Sequence, residues 1–153
     1  KLLLHRIHSD EVSVWHGTDL DLRGRLEELR DRQGDAFDLL TFLSREAPAP
    51  AWKPAQYNDD YGVCRYLVGE YHTAETLPAY LEAQLALEDL DADLDGKVIY
   101  VVAETEKQLS EARRVCQESL TNDRIVAVLP REPLSFRAAA LEVWCLLQMA
   151  VDA

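Results

Sequence analysis

Glycine is scarce in this chain: there are six in 153 residues, and no two of them are adjacent. The glycine-rich loops that hold phosphates need the patterns G-x-x-x-x-G-K-[ST] or G-x-G-x-x-G, and neither occurs. The G-x-S-x-G turn that presents the nucleophilic serine of α/β-hydrolases is also missing. These absences exclude a P-loop, a dinucleotide site of the usual kind and a hydrolase elbow within this sequence, and we expect no bound cofactor.

Cysteine is sparse as well. The chain has three, Cys64, Cys116 and Cys145, and no C-x-x-C spacing. An odd number without that spacing argues against a disulfide framework and against a thiolate metal site. Each cysteine lies among apolar residues, where a reduced thiol packs as a small hydrophobe. Because the sequence also has no signal-peptide pattern and no apolar run long enough to cross a bilayer, we expect a cytoplasmic protein without a membrane partner.

Positively charged residues are fewer than negatively charged ones in this chain. Sixteen lysines and arginines face 28 aspartates and glutamates, which gives a formal net charge of -12. A field of this sign repels phosphate backbones and anionic lipids unless a basic patch overrides it, and the arginines here are scattered among acids. We therefore expect no direct binding of nucleic acid.

The remaining composition, 48% hydrophobic and 29% charged residues, is that of a folded domain. A length of 153 residues suffices for one domain with a core. Lys1 opens the chain within an apolar pattern, and the chain stops within a helical pattern that has no C-cap glycine. We expect residues 1–153 to be a single α/β domain excised from a longer multidomain protein.

Strand and helix patterns alternate along the chain. Period-two or continuous apolar patterns predict strands, and each is followed by a helical pattern; the predicted strands are residues 11–15, 63–71, 97–104 and 124–130. Alternation of this kind predicts a mostly parallel sheet of about four strands with helices on both faces, a three-layer, Rossmann-like or flavodoxin-like fold. Strands 98–103 and 125–129 should be adjacent and parallel, joined by a helix over 105–120 that opens with the capping box of Thr105 and Gln108. Residues 2–8 are either a helix end or an edge strand.

A long connection starts at Glu46 and ends at Gly62. It has three prolines and no periodicity, which is typical of an extended loop, and it carries Trp52, Tyr57 and Tyr61. Two interpretations stay open. The aromatic side chains either lie down on the core, or the segment is a lid or a partner-binding arm.

The stretch HGTDLDLRGRLEEL contains the pair Asp19 and Asp21. It is similar to the nucleotidyltransferase segment in which Gly-Ser precedes D-x-D on a strand, but here Gly-Thr abuts the first aspartate and a helical pattern follows. On a helix, residues i and i+2 point about 200° apart and do not easily share a metal ion. We therefore predict that Thr18 caps a helix, with both aspartates in its first turn, and that Thr18→Ala costs about 1 kcal/mol. The alternative is a metal-dependent nucleotidyltransferase or nuclease that uses Asp19, Asp21 and Glu104.

In open parallel sheets, ligands bind beyond the carboxyl ends of the strands. The candidates for a catalytic rim at that edge are His16, Asp19, Asp21, Glu104 and Arg131. The competing interpretation is that these residues are helix caps and solvated strand ends.

A second acidic stretch, DADLDG, matches the first half of a calcium loop, with Asp91, Asp93 and Asp95 as the candidate metal ligands. The twelfth loop position should be a glutamate, but it is Val102, within a predicted strand. We favour an acidic helix-to-strand connection over a metal site.

Three stretches, SVWHGTDLDLRGRLEEL, VIYVVAET and VAVLPREPL, are similar to an internal α/β region of very large bacterial P-loop ATPases, including those found with phage-defence systems. The resemblance implies a prokaryotic, cytoplasmic accessory domain of a DNA-related machine. It transfers no catalytic residue, because the nucleotide-binding motifs of that family are not in this sequence.

The helical pattern that begins at Leu134 and ends at Val151 is apolar on nearly all sides. A helix of that kind must be buried on nearly all sides, and one sheet face covers only part of it. We expect it to form the main interface, with a neighbouring domain of the parent chain, with a partner protein or with a second copy. The sequence therefore predicts a non-catalytic assembly or regulatory module.

Overall fold

A computed structural model describes residues 2–6, 11–15, 21–86 and 95–151. These residues form five strands and six α-helices. In chain order the elements are β1 (Leu2–Arg6), β2 (Glu11–Trp15), α1 (Leu22–Gln33), α2 (Leu39–Glu46), α3 (Ala55–Tyr61), β3 (Leu67–Thr73), α4 (Leu77–Ala86), β4 (Gly96–Val102), α5 (Glu106–Ser119), β5 (Ile125–Val128) and α6 (Arg137–Val151). A 3₁₀ turn over Gly34–Ala36 separates α1 from α2. None of the described helices is long and apolar enough to cross a membrane.

The main sheet is parallel and has the order β3-β4-β5. Tyr71 is aligned with Tyr100 across the first pair of strands, and Ile99 with Ala127 across the second. The prediction that the two most apolar strands are adjacent, parallel and joined by a helix is confirmed. That helix, α5, opens with the predicted capping box of Thr105 and Gln108.

Helices α4 and α5 cover one face of the sheet. Ile99 and Val101 of β4 pack there with Leu77, Leu81 and Val115, all of them buried. Burial of large aliphatic side chains at alternate strand positions supplies the main stabilisation of this layer, about 1.5–3 kcal/mol for each one.

Helices α2 and α6 cover the opposite face. Val102, the next residue of β4, packs there with Phe37, Phe42 and Ala140, and Trp144 joins this cluster as a partly buried side chain. The alternation between Val101 and Val102 confirms a sheet that is covered on both faces. The α/β class and the three-layer arrangement are therefore as predicted.

The number of strands in the sheet differs from the prediction of about four. β2 pairs with β1 in an antiparallel two-stranded sheet, where Leu3 is aligned with Val14. Only four residues separate β1 from β2 in the sequence, whereas parallel neighbours need a crossover of a dozen or more residues. The alternating pattern of residues 11–15 predicted a strand correctly but contained no information about its partner.

The connection predicted as an extended loop contains a helix, α3. Gly62 ends that helix in the left-handed region, at φ 62°, where a residue without Cβ is favoured. The Asn58 side chain then holds the next turn, because Nδ2 donates to the Arg65 carbonyl at 2.9 Å and Oδ1 accepts from the Arg65 N–H at 3.0 Å. β3 consequently begins at Leu67, four residues later than predicted.

Asp38 caps α2, and its Oδ1 accepts from the Thr41 N–H at 2.6 Å. The start of the last helix differs from the sequence pattern. α6 begins at Arg137, because Leu134 still donates its backbone N–H to Ala103 at 2.8 Å and remains extended beside the end of β4.

Candidate functional site

The carboxyl edge of the sheet is where the topology places a ligand site. Glu104 lies there, two residues after the end of β4, and its Oε2 is 3.1 Å from Nη1 of Arg137. Arg131 lies beyond β5, is exposed, and offers its carbonyl to Nη2 of Arg113 at 3.0 Å. Glu104 and Arg131 are thus held by different partners.

Asp21 caps α1. Its Oδ1 accepts from the Gly24 N–H at 2.9 Å, and the helix begins at Leu22. The capping interpretation of the D-x-D stretch therefore holds for Asp21, but the capping residue is not Thr18 as predicted. An aspartate caps as well as a threonine does, so the local pattern allowed either start. Thr18, together with His16 and Asp19, lies outside the described residues.

Asp95 also makes a structural contact, because its Oδ2 accepts from the Tyr66 N–H at 3.1 Å and so ties the start of β4 to the segment before β3. Asp91 and Asp93 lie outside the described residues. Within residues 21–86 and 95–151, no three carboxylate, histidine or cysteine side chains converge to hold a metal ion.

A cavity of about 550 Å³ opens at the carboxyl edge between the starts of α4 and α5. Its lining residues are Ala74, Glu75, Pro78, Thr105, Lys107, Gln108 and Glu111. The capping box already engages the N–H groups of Glu104, Thr105 and Gln108. A hydrogen bond from Thr73 holds the pKa of Glu75 below its usual value, and the lining as a whole has two carboxylates, Glu75 and Glu111, against one ammonium group, Lys107. The cavity is therefore poorly suited to a phosphate.

Four ionisable side chains that the sequence did not predict to lie together are found beneath α4, on the face of the sheet that this helix covers. We call Glu70, His72, Tyr80 and Lys97 the ionisable cluster. Oε1 of Glu70 is 2.8 Å from Nζ of Lys97, and Oε2 is 3.6 Å from Nε2 of His72. The His72 and Tyr80 rings lie 4.1 Å apart between centroids, and the Lys97 ammonium is 5.6 Å from the Tyr80 centroid.

Burial and pairing set the protonation states in the ionisable cluster. Burial raises the pKa of Glu70, but Lys97, Tyr80 and His72 together outweigh it, and that pKa lies below its usual value. Burial lowers the pKa of Lys97, but Glu70 and Tyr80 together outweigh it, and that pKa lies above its usual value. Burial also lowers the pKa of His72 despite the nearby carboxylate. At neutral pH the cluster therefore holds an ion pair beside an uncharged imidazole.

The Tyr80 hydroxyl completes the ionisable cluster. Burial, followed by the nearby carboxylate of Glu70, raises its pKa to about 12. It makes no hydrogen bond of normal geometry within the described part of the chain, although Glu70 and Lys97 are close. A protonated lysine and a neutral tyrosine are poor nucleophiles, so Lys97 and Tyr80 are not suited to covalent catalysis in these protonation states.

Sequence reasoning missed the ionisable cluster, although a signal was present. Glu70 and His72 are two residues apart in a predicted strand and so share a face, and Lys97 begins the next strand. What the sequence lacked was the register that aligns Val68 with Lys97 and brings the three side chains together.

An apolar stripe runs along the outer side of α6. Val143 is 47% exposed, Leu146 46% and Leu147 37%, and the small residues Ala139 and Ala150 extend the stripe at both ends. Trp144 and Phe136 lie on the other side, within the core cluster of α2. The helix is thus packed against its own chain on one side and solvated on the other.

Comparison with known proteins gives no assignment: no protein-family model, curated protein or solved structure matches the chain.

Proposed function

We propose that this domain is a non-catalytic assembly or regulatory module that binds through α6. The observation that carries the proposal is the apolar stripe of Val143, Leu146 and Leu147 on the solvated side of that helix. Each large side chain left in water forgoes about 1.5–3 kcal/mol of burial free energy. A contiguous stripe of such residues is characteristic of an interaction surface.

The spacing of the stripe suits a helical partner. Ala139, Val143, Leu146 and Ala150 are separated by four, three and four residues. This is the alternation of a coiled-coil seam, which presents a narrow apolar face to another helix. That partner helix belongs to one of three candidates: a neighbouring domain of a parent chain, a partner protein or a second copy of this chain.

The contacts of the described acidic residues support a non-catalytic role. Asp21 uses its carboxylate to cap α1, and Glu104 pairs with Arg137. The alternative of a metal-dependent nucleotidyltransferase or nuclease would require Asp21 to leave the cap and join Asp19. The resemblance to large bacterial P-loop ATPases of the phage-defence type supplies the context that we propose for the module, as an accessory domain in the cytoplasm.

Sedimentation velocity at micromolar concentration tests the α6 surface. We expect the chain to self-associate and Leu146→Glu to make it monomeric, because a buried unpaired carboxylate is costly. Val63→Glu is the matched control, since Val63 is 38% exposed and lies outside α6. A wild-type chain that remains monomeric would exclude a second copy as the partner of α6, and a Leu146→Glu chain that associates normally would contradict the assignment of the contact to the apolar stripe.

Calorimetric titration with Mg²⁺ or Mn²⁺ tests the catalytic alternative independently. The assembly module requires no divalent ion. Binding that disappears in Asp19→Asn would favour the transferase or nuclease over the module.

A further inference from the structure

A second exposed surface lies on the segment between α2 and β3. Trp52 is 52% exposed, Tyr57 42% and Tyr61 68%. We call these three side chains the aromatic ridge. Of the two interpretations that the sequence left open, their exposure does not fit the one in which the aromatic side chains lie down on the core.

Hydrogen bonds attach the backbone that carries Trp52 to the main sheet. Trp52 donates its N–H to the Leu67 carbonyl at 2.9 Å and accepts from the Leu67 N–H at 2.8 Å, so the segment is fixed to the start of β3. Hydroxyl groups from the sheet hold the preceding residues: Tyr71 donates to the Ala47 carbonyl at 3.1 Å, and Tyr100 to the Pro50 carbonyl at 3.2 Å. A surface that is fixed before binding loses little conformational entropy when it binds.

A shallow cavity of about 470 Å³ lies between the Trp52 and Tyr57 side chains. The other residues that line it are Lys53, Pro54, Ala55, Gln56 and Asp60. Two aromatic walls with a carboxylate at the rim suit a ligand that is apolar and cyclic in one part and positively charged in another.

The charges on α3 favour a cation. Asp59 and Asp60 lie on this helix, which carries no lysine or arginine. The Arg65 guanidinium lies 5.6 Å from the Tyr57 ring centroid and the Tyr61 ring lies 4.6 Å from it, so Trp52, which is 52% exposed, is the more open of the two rings that line the cavity. Lys53 offsets the charge of Asp60 in the lining, so the preference for a cation comes from Asp59 and from the net charge of -12.

The backbone hydrogen bonds of Trp52 limit the conformations in which a ligand can bind beside it. Because both its N–H and its carbonyl are bonded to Leu67, a partner cannot add a β-strand through this residue. A proline-rich segment in the polyproline II conformation needs no backbone ladder and binds through its rings on aromatic surfaces.

We propose that the aromatic ridge binds a positively charged, proline-containing segment of a partner protein in an extended conformation. Single-stranded nucleic acid also stacks on exposed aromatic rings. The carboxylates of Asp59 and Asp60 repel its phosphates, and the net charge of -12 adds to that repulsion. The surface is separate from the α6 stripe, so either proposal stands without the other.

Isothermal titration with a synthetic peptide of alternating proline and arginine tests this proposal. We expect binding, and an affinity about tenfold or more lower for Trp52→Ala, the usual result of removing a central aromatic contact. Tyr57→Ala and Asp60→Asn should also weaken binding. Val126→Ala is the control, because Val126 is an exposed apolar residue of β5 and should leave the affinity unchanged.

Comparison of probes distinguishes the possible ligands. A peptide with glycine in place of proline, one with glutamate in place of arginine, and oligothymidylate should each bind at least several-fold more weakly. If the glycine–arginine peptide binds as tightly as the proline–arginine peptide, charge alone accounts for the interaction, and the proposal is overturned. Tighter binding of oligothymidylate, no binding of the proline–arginine peptide, or an unchanged affinity in a folded Trp52→Ala chain would overturn it as well.

Discussion

At the scale of single residues, Asp21 illustrates how one side chain supports two interpretations. A carboxylate near a second aspartate resembles a metal ligand, and the same carboxylate before a helix resembles a cap. The 2.9 Å hydrogen bond from the Gly24 N–H identifies it as the cap. The sequence predicted that a cap was present, but the choice between Thr18 and Asp21 depends on where the helix begins, which local preference leaves open by a few residues.

Asp21→Ala should lower the free energy of unfolding by about 1 kcal/mol, because the first turn of α1 loses a hydrogen-bond acceptor. Asp21→Asn retains an acceptor oxygen and should be close to wild type. Urea denaturation followed by circular dichroism measures both. A loss in Thr18→Ala that matches the loss in Asp21→Ala would instead place the helix start earlier, as the sequence alone suggested.

The ionisable cluster makes stability depend on pH. The pKa of His72 lies below its usual 6.5 because of burial, so the unfolded chain takes up a proton before the folded chain does. Stability should therefore be complete above pH 6.5 and fall as the pH decreases below it. The pKa of Glu70 lies below its usual 4.5, which extends the loss to more acidic pH.

Urea denaturation of wild type and His72→Gln at several pH values between 7.5 and 5, a window about the usual histidine pKa, measures this effect. The variant should lose less stability across the window, since its side chain does not titrate. An identical pH dependence in the two proteins would show that His72 does not contribute to the loss.

At the scale of elements, the local signals predicted what local physics determines. The capping box of Thr105 and Gln108 and the continuous apolar run of β4 both depend on residues that are neighbours in the sequence. What failed were the features set at a distance. The pairing of β2 with β1 and the delayed start of α6, which follows from the bond between Leu134 and Ala103, depend on contacts that no short window contains.

Gly69 of β3 shows such a distant constraint. A Cβ at this position would collide with the backbone of Ala49 and Pro50, which cross the strand. Gly69→Ala should therefore destabilise the chain by about 1–3 kcal/mol, as overpacking usually does, and displace the segment that carries the aromatic ridge.

Gly34→Ala is the control for this substitution. Gly34 is in the right-handed helical region, and a Cβ there would have Leu141 at an ordinary 3.9 Å. This variant should be neutral or slightly stabilising, because alanine reduces the freedom of the unfolded chain. Thermal denaturation compares the two variants. Equal melting temperatures would mean that the backbone of Ala49 and Pro50 moves to admit the Cβ without a loss of stability.

At the scale of the whole molecule, composition and the alternation of strand and helix patterns predicted the α/β class and both helical layers, because the spacing of apolar residues can be read from the sequence itself. The two interaction surfaces were not predictable to the same degree. The helical pattern from Leu134 identified the apolar helix, yet only packing shows that Trp144 faces inward and Leu146 outward. The ionisable cluster likewise required the strand register.

The net charge of -12 affects the two proposed surfaces in opposite directions. Copies that associate through an apolar stripe repel one another through their charge, and salt screens that repulsion, with a Debye length of about 10 Å at 0.1 M falling to about 3 Å at 1 M. Self-association through α6 should therefore strengthen as sodium chloride increases. Binding of the proline–arginine peptide to the aromatic ridge should weaken, because its attraction to Asp59 and Asp60 is screened. Sedimentation and calorimetry over the same salt series measure both effects. A self-association that weakens with salt would indicate an interface of paired charges and exclude the apolar stripe as its main contact, whatever the peptide does.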